Sequence, residues 1–216
     1  MEKIRILLAD DHAVLREGVR ALLNEQPDMV VVGEVEDGRW AVHLANELRP
    51  NVVLMDIAMP LLNGLEATRQ IKRDHPEIKV LVLTMHDNEE YVRQVLAAGA
   101  SGYVLKRAAA SELVNAIRAV HQGEAVLSPA VTRVLIEDYL RQDGARHEPA
   151  PDDLTPREAE VLQLIAEGYT SKKIAELLGL SVKTVQAHRT SLMQKLNVHD
   201  RGDLIKYAIQ KKIIEI

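Results

Sequence analysis

No cysteine occurs in the 216 residues of this chain. Its absence excludes a disulfide framework, a thiol nucleophile and thiolate-bound zinc, and makes a reducing cytoplasm the expected compartment. Long apolar runs are missing as well. No segment approaches the roughly 20 apolar residues that cross a bilayer, and no basic run precedes an apolar stretch at the start of the chain. The expectation is a soluble, unexported protein with no membrane partner. Internal repeats and low-complexity tracts are also absent. Tryptophan occurs once, at Trp40, and is expected to cover one face of the second helix. The net charge of -5 speaks weakly against a general nucleic-acid binder, but a whole-chain average hides local patches. Ser181 to Val198 holds Lys183, Arg189 and Lys195 and no acidic residue.

What is present divides into two patterns. Residues 1–121 alternate short apolar runs with longer amphipathic stretches. The runs are Ile4 to Ala9, Met29 to Val35, Val52 to Met55, Ile78 to Leu83 and Gly102 to Leu105, rich in Val, Ile and Leu as strands buried on both faces are. Between them the apolar residues take helical spacing, as in Leu113, Ala116, Ile117 and Val120. The reading is an α/β fold, a doubly wound five-stranded parallel sheet with right-handed crossovers. Residues 122–153 connect: Ser128-Pro129 opens a helical stretch through Leu140, and Arg141 to Asp153 is a polar linker containing Gly144, Pro149 and Pro151. Residues 154–216 lack any strand signal. Four helices are expected there, at Pro156 to Glu167, Ser171 to Leu178, Val182 to Leu196 and Arg201 to about Ile213. Thr155-Pro156-Arg157-Glu158 supplies a cap, a proline at the first helical position and an early acid.

In an open parallel sheet, ligands bind beyond the carboxyl ends of the strands. Polar residues stand at four of those ends: Asp10-Asp11, Asp56, Thr84 and Lys106. Carboxylates gathered that closely repel unless a cation neutralises them. Mg²⁺ suits the set, because it takes a few carboxylates, keeps waters and engages phosphate oxygens. A carboxylate at Asp56 can then attack the phosphorus of a donor, Lys106 can pair with the new phosphate, and the Thr84 hydroxyl can donate to it. Singly each residue has a bland alternative: Asp10-Asp11 as a cap for a helix starting near His12, Asp56 as a loop acid, Lys106 as a solvated charge. Jointly, at successive strand ends, they describe a phosphoryl-accepting pocket.

These residues resemble the receiver domain of two-component signalling. Its acidic pair, phosphoacceptor aspartate, hydroxyl residue and lysine match Asp10-Asp11, Asp56, Thr84 and Lys106, and Met55 to Pro60 followed by Asn63-Gly64 is similar to its loop after the third strand. The resemblance implies that Asp11, Asp56 and the Ala58 carbonyl bind Mg²⁺, with Asp10 acting through water. It also implies that Tyr103 is an aromatic switch whose ring moves inward as Thr84 turns toward phosphate; read as a strand residue alone, Tyr103 would be half-buried with its hydroxyl in water. Arg107 stands where many receivers carry proline after the lysine.

In the C-terminal part, Ile174 to Val185 reads as a short helix, a turn around Gly179 and a second helix capped by Ser181, a helix-turn-helix. Ala175 allows close approach of the two helices, and Val185, Leu192 and Leu196 form the buried stripe of the second. Lys183, Gln186, Ala187, Arg189 and Thr190 then face outward, suited to a major groove. His188 has no second ligand at metal spacing, so a phosphate contact or a packing role is expected of it. Leu154 to Glu158, Gly168, Ile174-Ala175, Ser181, Thr184-Val185, His188 and Lys195-Leu196 resemble the DNA-binding domain of the LuxR, FixJ and NarL regulators. The resemblance implies base contacts at Gln186, Ala187 and Thr190 and phosphate contacts at Lys183, Thr184, His188, Arg189 and Lys195. Ser171 and Lys173 stand where relatives carry Asn and Glu.

The whole chain thus resembles a NarL/FixJ-type response regulator, a phosphoprotein and not a dedicated enzyme. The implied partners are a sensor histidine kinase, promoter DNA read as two half-sites, a second phosphorylated copy of the chain, and RNA polymerase. Two other readings compete. A small-molecule-binding regulator of the quorum-sensing type leaves Lys106 and the strand-end carboxylates unexplained. A haloacid dehalogenase-type phosphatase needs an acid two residues after Asp56, where Ala58 stands.

Overall fold

The structure is a computed structural model that describes residues 2–85, 89–127, 132, 154–211 and 213–214, with the side chains of 89–91 outside that set. These residues form two compact units. The connecting helix expected from Ser128 to Leu140, except Thr132, and the linker from Arg141 to Asp153 lie outside the described residues.

The N-terminal unit alternates strand and helix: β1 (Ile4–Ala9), α1 (Ala13–Asn24), β2 (Met29–Val35), α2 (Gly38–Leu48), β3 (Val52–Met55), α3 (Gly64–Asp74), β4 (Lys79–Thr84), α4 (Glu89–Ala97), β5 (Gly102–Leu105) and α5 (Ala110–His121). The sheet order is β2-β1-β3-β4-β5, and every pairing is parallel. Four of the five apolar runs match their strands residue for residue. β4 begins and ends one residue later than expected, so Thr84 closes the strand instead of following it.

Alternation of side chains along each strand divides the core into two layers. Ile6 and Leu8, Val52 and Leu54, Leu81 and Leu83, and Val104 pack with Val19 and Leu23 of α1 and with Leu113, Ile117 and Val120 of α5. Leu7, Val53, Val82 and Tyr103 alternate with these and face the other side, where α2 and α3 lie against one another. β2 is an edge strand and is mostly half-buried. Its register against β1 slips between Ile6 and Leu7, opposite Gly33. A Cβ at Gly33 would lie 2.9 Å from the Leu48 side chain, which accounts for the glycine.

The C-terminal unit consists of α6 (Pro156–Ala166), α7 (Ser171–Leu178), α8 (Val182–Lys195) and α9 (Arg201–Gln210). All four expected helices form, three of them one to three residues shorter at the C-terminal end. α6 starts on a complete capping box between Thr155 and Glu158 with proline in its first turn. Thr170 caps α7 by accepting from the Lys173 N–H, so the departure at Ser171 and Lys173 costs that helix no cap. Gly179 ends α7 at φ 63°, a left-handed conformation glycine adopts without strain, and Ser181 caps α8. The core joins Leu162 and Ile165 of α6 to Ile174 and Ala175, Val185 and Leu192, and Leu204 and Ala208. In α9, Leu204 and Ala208 are core, while Ile205 and Ile209 are half-buried.

Candidate functional site

Strand register builds the pocket. Ala9 lies opposite Met55 and Thr84 opposite Leu105, so the residues that follow or close these strands emerge at one edge of the sheet. The Asp56 N–H donates to the Ala9 carbonyl at 2.8 Å, and the Lys106 N–H to the Thr84 carbonyl at 2.8 Å. Backbone ladder bonds thus hold each polar residue at the end of its strand.

The Lys106 ammonium lies 2.7 Å from Oδ2 of Asp56 and 2.9 Å from Oδ2 of Asp10. Asp56 is 3% exposed and its second oxygen accepts the Ile57 N–H at 2.8 Å. Burial pushes the Asp56 carboxyl up to about 6; Lys106 opposes the shift, and the neighbouring Asp10 charge adds to it. Burial of Lys106 works to lower its own pKa, yet its two carboxylate partners hold it above the usual lysine value. The pair is tight, and one cation faces two acids. Asp11 is exposed and completes the charge imbalance.

Side chains of Asp10, Asp11, His12 and Asp56 each offer one donor atom, all within 4.8 Å of one another. The three carboxylate oxygens among them fit a small divalent cation. Ala58, whose carbonyl is the further expected ligand, is half-buried in the loop two residues beyond Asp56. Asn63 and Gly64 shape that loop. Gly64 donates to the Ile57 carbonyl at 2.8 Å, Asn63 caps α3, and a Cβ on Gly64 would meet the Asp56 carbonyl oxygen at 1.8 Å. Only glycine lets α3 start this close to the acidic residue.

His12 is the residue that sequence reasoning missed. Its Nδ1 lies 2.8 Å from Asp11, 3.2 Å from Asp10 and 3.8 Å from Asp56, whereas the sequence treated it only as a helix start. Its place directly after the acidic pair was the available signal. The capping alternative also resolves: α1 has no cap bond from the side chain of its N-cap residue His12, and Asp10 instead accepts the His12 N–H at 2.8 Å, directly before the helix. Arg16 reaches back from α1 to the Asp10 carbonyl at 2.5 Å and fastens the loop.

Thr84 is buried at the end of β4. Tyr103 is 2% exposed, so the half-buried strand residue with its hydroxyl in water is not what forms; the ring is enclosed. Trp40 stands on α2. It is 55% exposed and lies T-shaped to the His43 ring of the same helix, centroids 5.1 Å apart.

In the C-terminal unit, α8 buries Val185 and Leu192 and exposes Lys183, Gln186, Ala187 and Thr190; Thr184, His188 and Arg189 are half-buried beside them. Lys195 differs from the other expected phosphate contacts. Its ammonium lies 2.6 Å from Glu158, which also accepts from Ser191 at 2.8 Å and from the Thr155 N–H at 2.9 Å. Burial works to raise the Glu158 carboxyl, but these donors win and hold it at about 2. The early acid of the capping box therefore has a second task, tying α8 to α6.

Residues 6–118 match the response regulator receiver domain family, and residues 152–208 match the bacterial regulatory proteins of the luxR family. The oxygen regulatory protein NreC of Staphylococcus carnosus is 43% identical over 216 residues, covering 98% of this chain and all of that protein (100%). Among solved structures, RcsB of Salmonella enterica serovar Typhimurium bound to promoter rprA in the presence of phosphomimetic BeF3- is 31% identical, with a TM-score of 0.60 over 95% of this chain and 98% of that one. A structure of two RcsB dimers bound to two parallel DNAs is likewise 31% identical, with a TM-score of 0.58 over 95% and 98% of the two chains. The parallel sheet with acids gathered at its carboxyl edge, the helix-turn-helix unit after it and these matches agree: the chain belongs to the NarL/FixJ-type, LuxR-family two-component response regulators, DNA-binding proteins that take a phosphoryl group on a receiver aspartate and are not dedicated enzymes.

Proposed function

We propose that Asp56 is the phosphoacceptor, that Asp10, Asp11, Asp56 and the Ala58 carbonyl hold Mg²⁺, and that phosphorylation governs binding of α8 to promoter DNA. The observation that carries this reading is the Lys106 ammonium held between Asp10 and Asp56 at 2.9 and 2.7 Å. Bound Mg²⁺ supplies positive charge that lets a phosphate donor approach three carboxylates. A carboxylate oxygen of Asp56 attacks phosphorus, the bond from phosphorus to the donor's leaving atom breaks, and an acyl phosphate forms. Lys106 then exchanges its carboxylate partner for a phosphate oxygen, and Thr84 donates its hydroxyl to another. Tyr103, enclosed on the strand beside the one that carries Thr84, is the switch residue that follows the turn of the Thr84 hydroxyl toward phosphate.

The receiver spans residues 1–121, the connector 122–153 and the DNA-binding domain 154–216. The donor is a sensor histidine kinase. On DNA, Gln186, Ala187 and Thr190 face bases, while Lys183, Thr184, His188 and Arg189 face phosphates. Lys195 acts mainly by positioning α8 through Glu158. One helix-turn-helix reads a short half-site, so genomic specificity favours two copies on DNA, as RcsB dimers are seen to bind. RNA polymerase is the further partner, and the reducing cytoplasm the compartment; among the described residues no helix is long and apolar enough to cross a membrane. Acetyl phosphate with Mg²⁺ tests the reading: the wild-type chain gains a hydroxylamine-labile adduct, and stoichiometric labelling of an Asp56→Asn chain at the same rate would refute it.

A further inference from the structure

Lys183, Gln186, Ala187 and Thr190 are exposed on α8, as is Val182 at its first position. Their spacing of i, i+3, i+4 and i+7 stacks them in one line, opposite the buried Val185 and Leu192. A helix advances about 100° per residue, so His188 and Arg189 fall more than about 100° from that line. Both are half-buried, and their side chains belong to the flanks of the helix, where phosphate backbones run.

The chemistry of the line is sparse in charge. It carries one cation, Lys183, at its leading end, then an amide and two methyl-bearing side chains. The Thr190 hydroxyl donates to the Gln186 carbonyl at 3.0 Å, the back-bond a helical threonine commonly makes. Its proton is used inside the helix, so Thr190 offers a partner its methyl group and no donor. Ala187 offers a methyl alone. Guanine presents two acceptors in the major groove and calls for a fork of donors; adenine pairs an acceptor with a donor, which suits an amide, and thymine presents a 5-methyl group, which suits a methyl.

We propose that Gln186, Ala187 and Thr190 read A·T pairs, the amide on an adenine edge and the two methyl groups against thymine methyls. The inference rests on the reading of α8 as the DNA interface. Lys183 flanks the set as a point charge.

The test starts from duplexes selected out of a random library by the full chain phosphorylated with acetyl phosphate. Each thymine of the enriched half-site is then replaced by deoxyuridine, which removes the 5-methyl group alone. At the contacted positions each replacement raises Kd about fourfold, the worth of one buried methyl group. Thr190→Ser keeps the hydroxyl bond and lacks the methyl, so it binds thymine and deoxyuridine equally at one position; Thr190→Val keeps the methyl and keeps the penalty. Gln186→Ala loses its preference for adenine by about fivefold or more. An enriched half-site with G·C pairs under α8, or one that tolerates deoxyuridine throughout, overturns the inference and leaves the DNA interface standing. A library that yields no motif overturns both.

Discussion

Lys106 and Asp56 are 50 residues apart in sequence and 2.7 Å apart in the fold, one buried ammonium shared between the proposed phosphoacceptor and Asp10. The pair sets the resting state of the pocket. Burial raises the Asp56 carboxyl to about 6, so at neutral pH the nucleophile is ionised at some expense to the fold.

That expense has a sign. Because Asp56 binds its proton more tightly folded than unfolded, its contribution to stability is fully present below its unfolded value near 4 and is lost as pH rises through about 6. In the absence of divalent cations, Asp56→Asn is expected to stabilise the receiver at pH 7 by on the order of 1–3 kcal/mol, and to remove the decline between about pH 4 and 6. Urea unfolding followed across that range checks it. A variant less stable than the parent at pH 7 would show that the ionised carboxylate is held more firmly than its burial implies.

Charge removal at the acidic pair acts on the metal. Asp10→Asn with Asp11→Asn is expected to weaken Mg²⁺ binding by about tenfold or more, since hard cations of this kind are held through carboxylate charge. Isothermal calorimetry measures it directly, and an unchanged affinity removes both residues from the ligand set.

Gly64 offers a steric test of the same site. Because a Cβ there would sit 1.8 Å from the Asp56 carbonyl oxygen, Gly64→Ala must push the Asp56–Ile57 peptide aside. The expected result is a loss of about 1–3 kcal/mol in receiver stability and a fall of about a hundredfold in phosphoryl uptake, the effect of misplacing a reacting group by an ångström. Uptake at the parental rate would show that the loop relaxes without moving Asp56.

Glu158 links helix start and DNA-binding helix. Its carboxyl is held at about 2, below the unfolded value, so its stabilisation is present above about pH 4.5 and is lost as pH falls toward 2. Glu158→Gln keeps a capping side chain but loses the carboxylate charge that pairs with Lys195 and accepts from Ser191. Stability of the C-terminal unit is expected to fall by about 1–2 kcal/mol at pH 7, discounted because Lys195 is partly in water, and DNA affinity to fall with it. Full DNA affinity in this variant would return Lys195 to the role of a phosphate contact.

Much of this was legible in the chain. Strands β1, β3 and β5 were visible because each is a short apolar run buried on both faces, and β2 because its run is apolar although the sheet edge leaves it half-buried; the polar successors Asp10, Asp56 and Lys106 marked one edge of the sheet. β4 was displaced by a residue because Thr84 is both a good strand former and a polar signal, and only pairing with Leu105 decides between the two. His12 was hidden by its ordinary place before a helix; its ring meets the carboxylates through loop geometry, which periodicity does not encode. The Lys195 pairing with Glu158 was not legible because the two lie 37 residues apart and Glu158 was already explained by its cap.

Phosphorylation of Asp56 is expected to couple to DNA binding by two copies of the chain. Footprinting combined with sedimentation, with and without acetyl phosphate and Mg²⁺, measures it on the full chain. The expected result is tighter protection of two spaced half-sites by a dimer after phosphorylation, and no such change in Asp56→Asn. A monomer on one half-site in both states would contradict it.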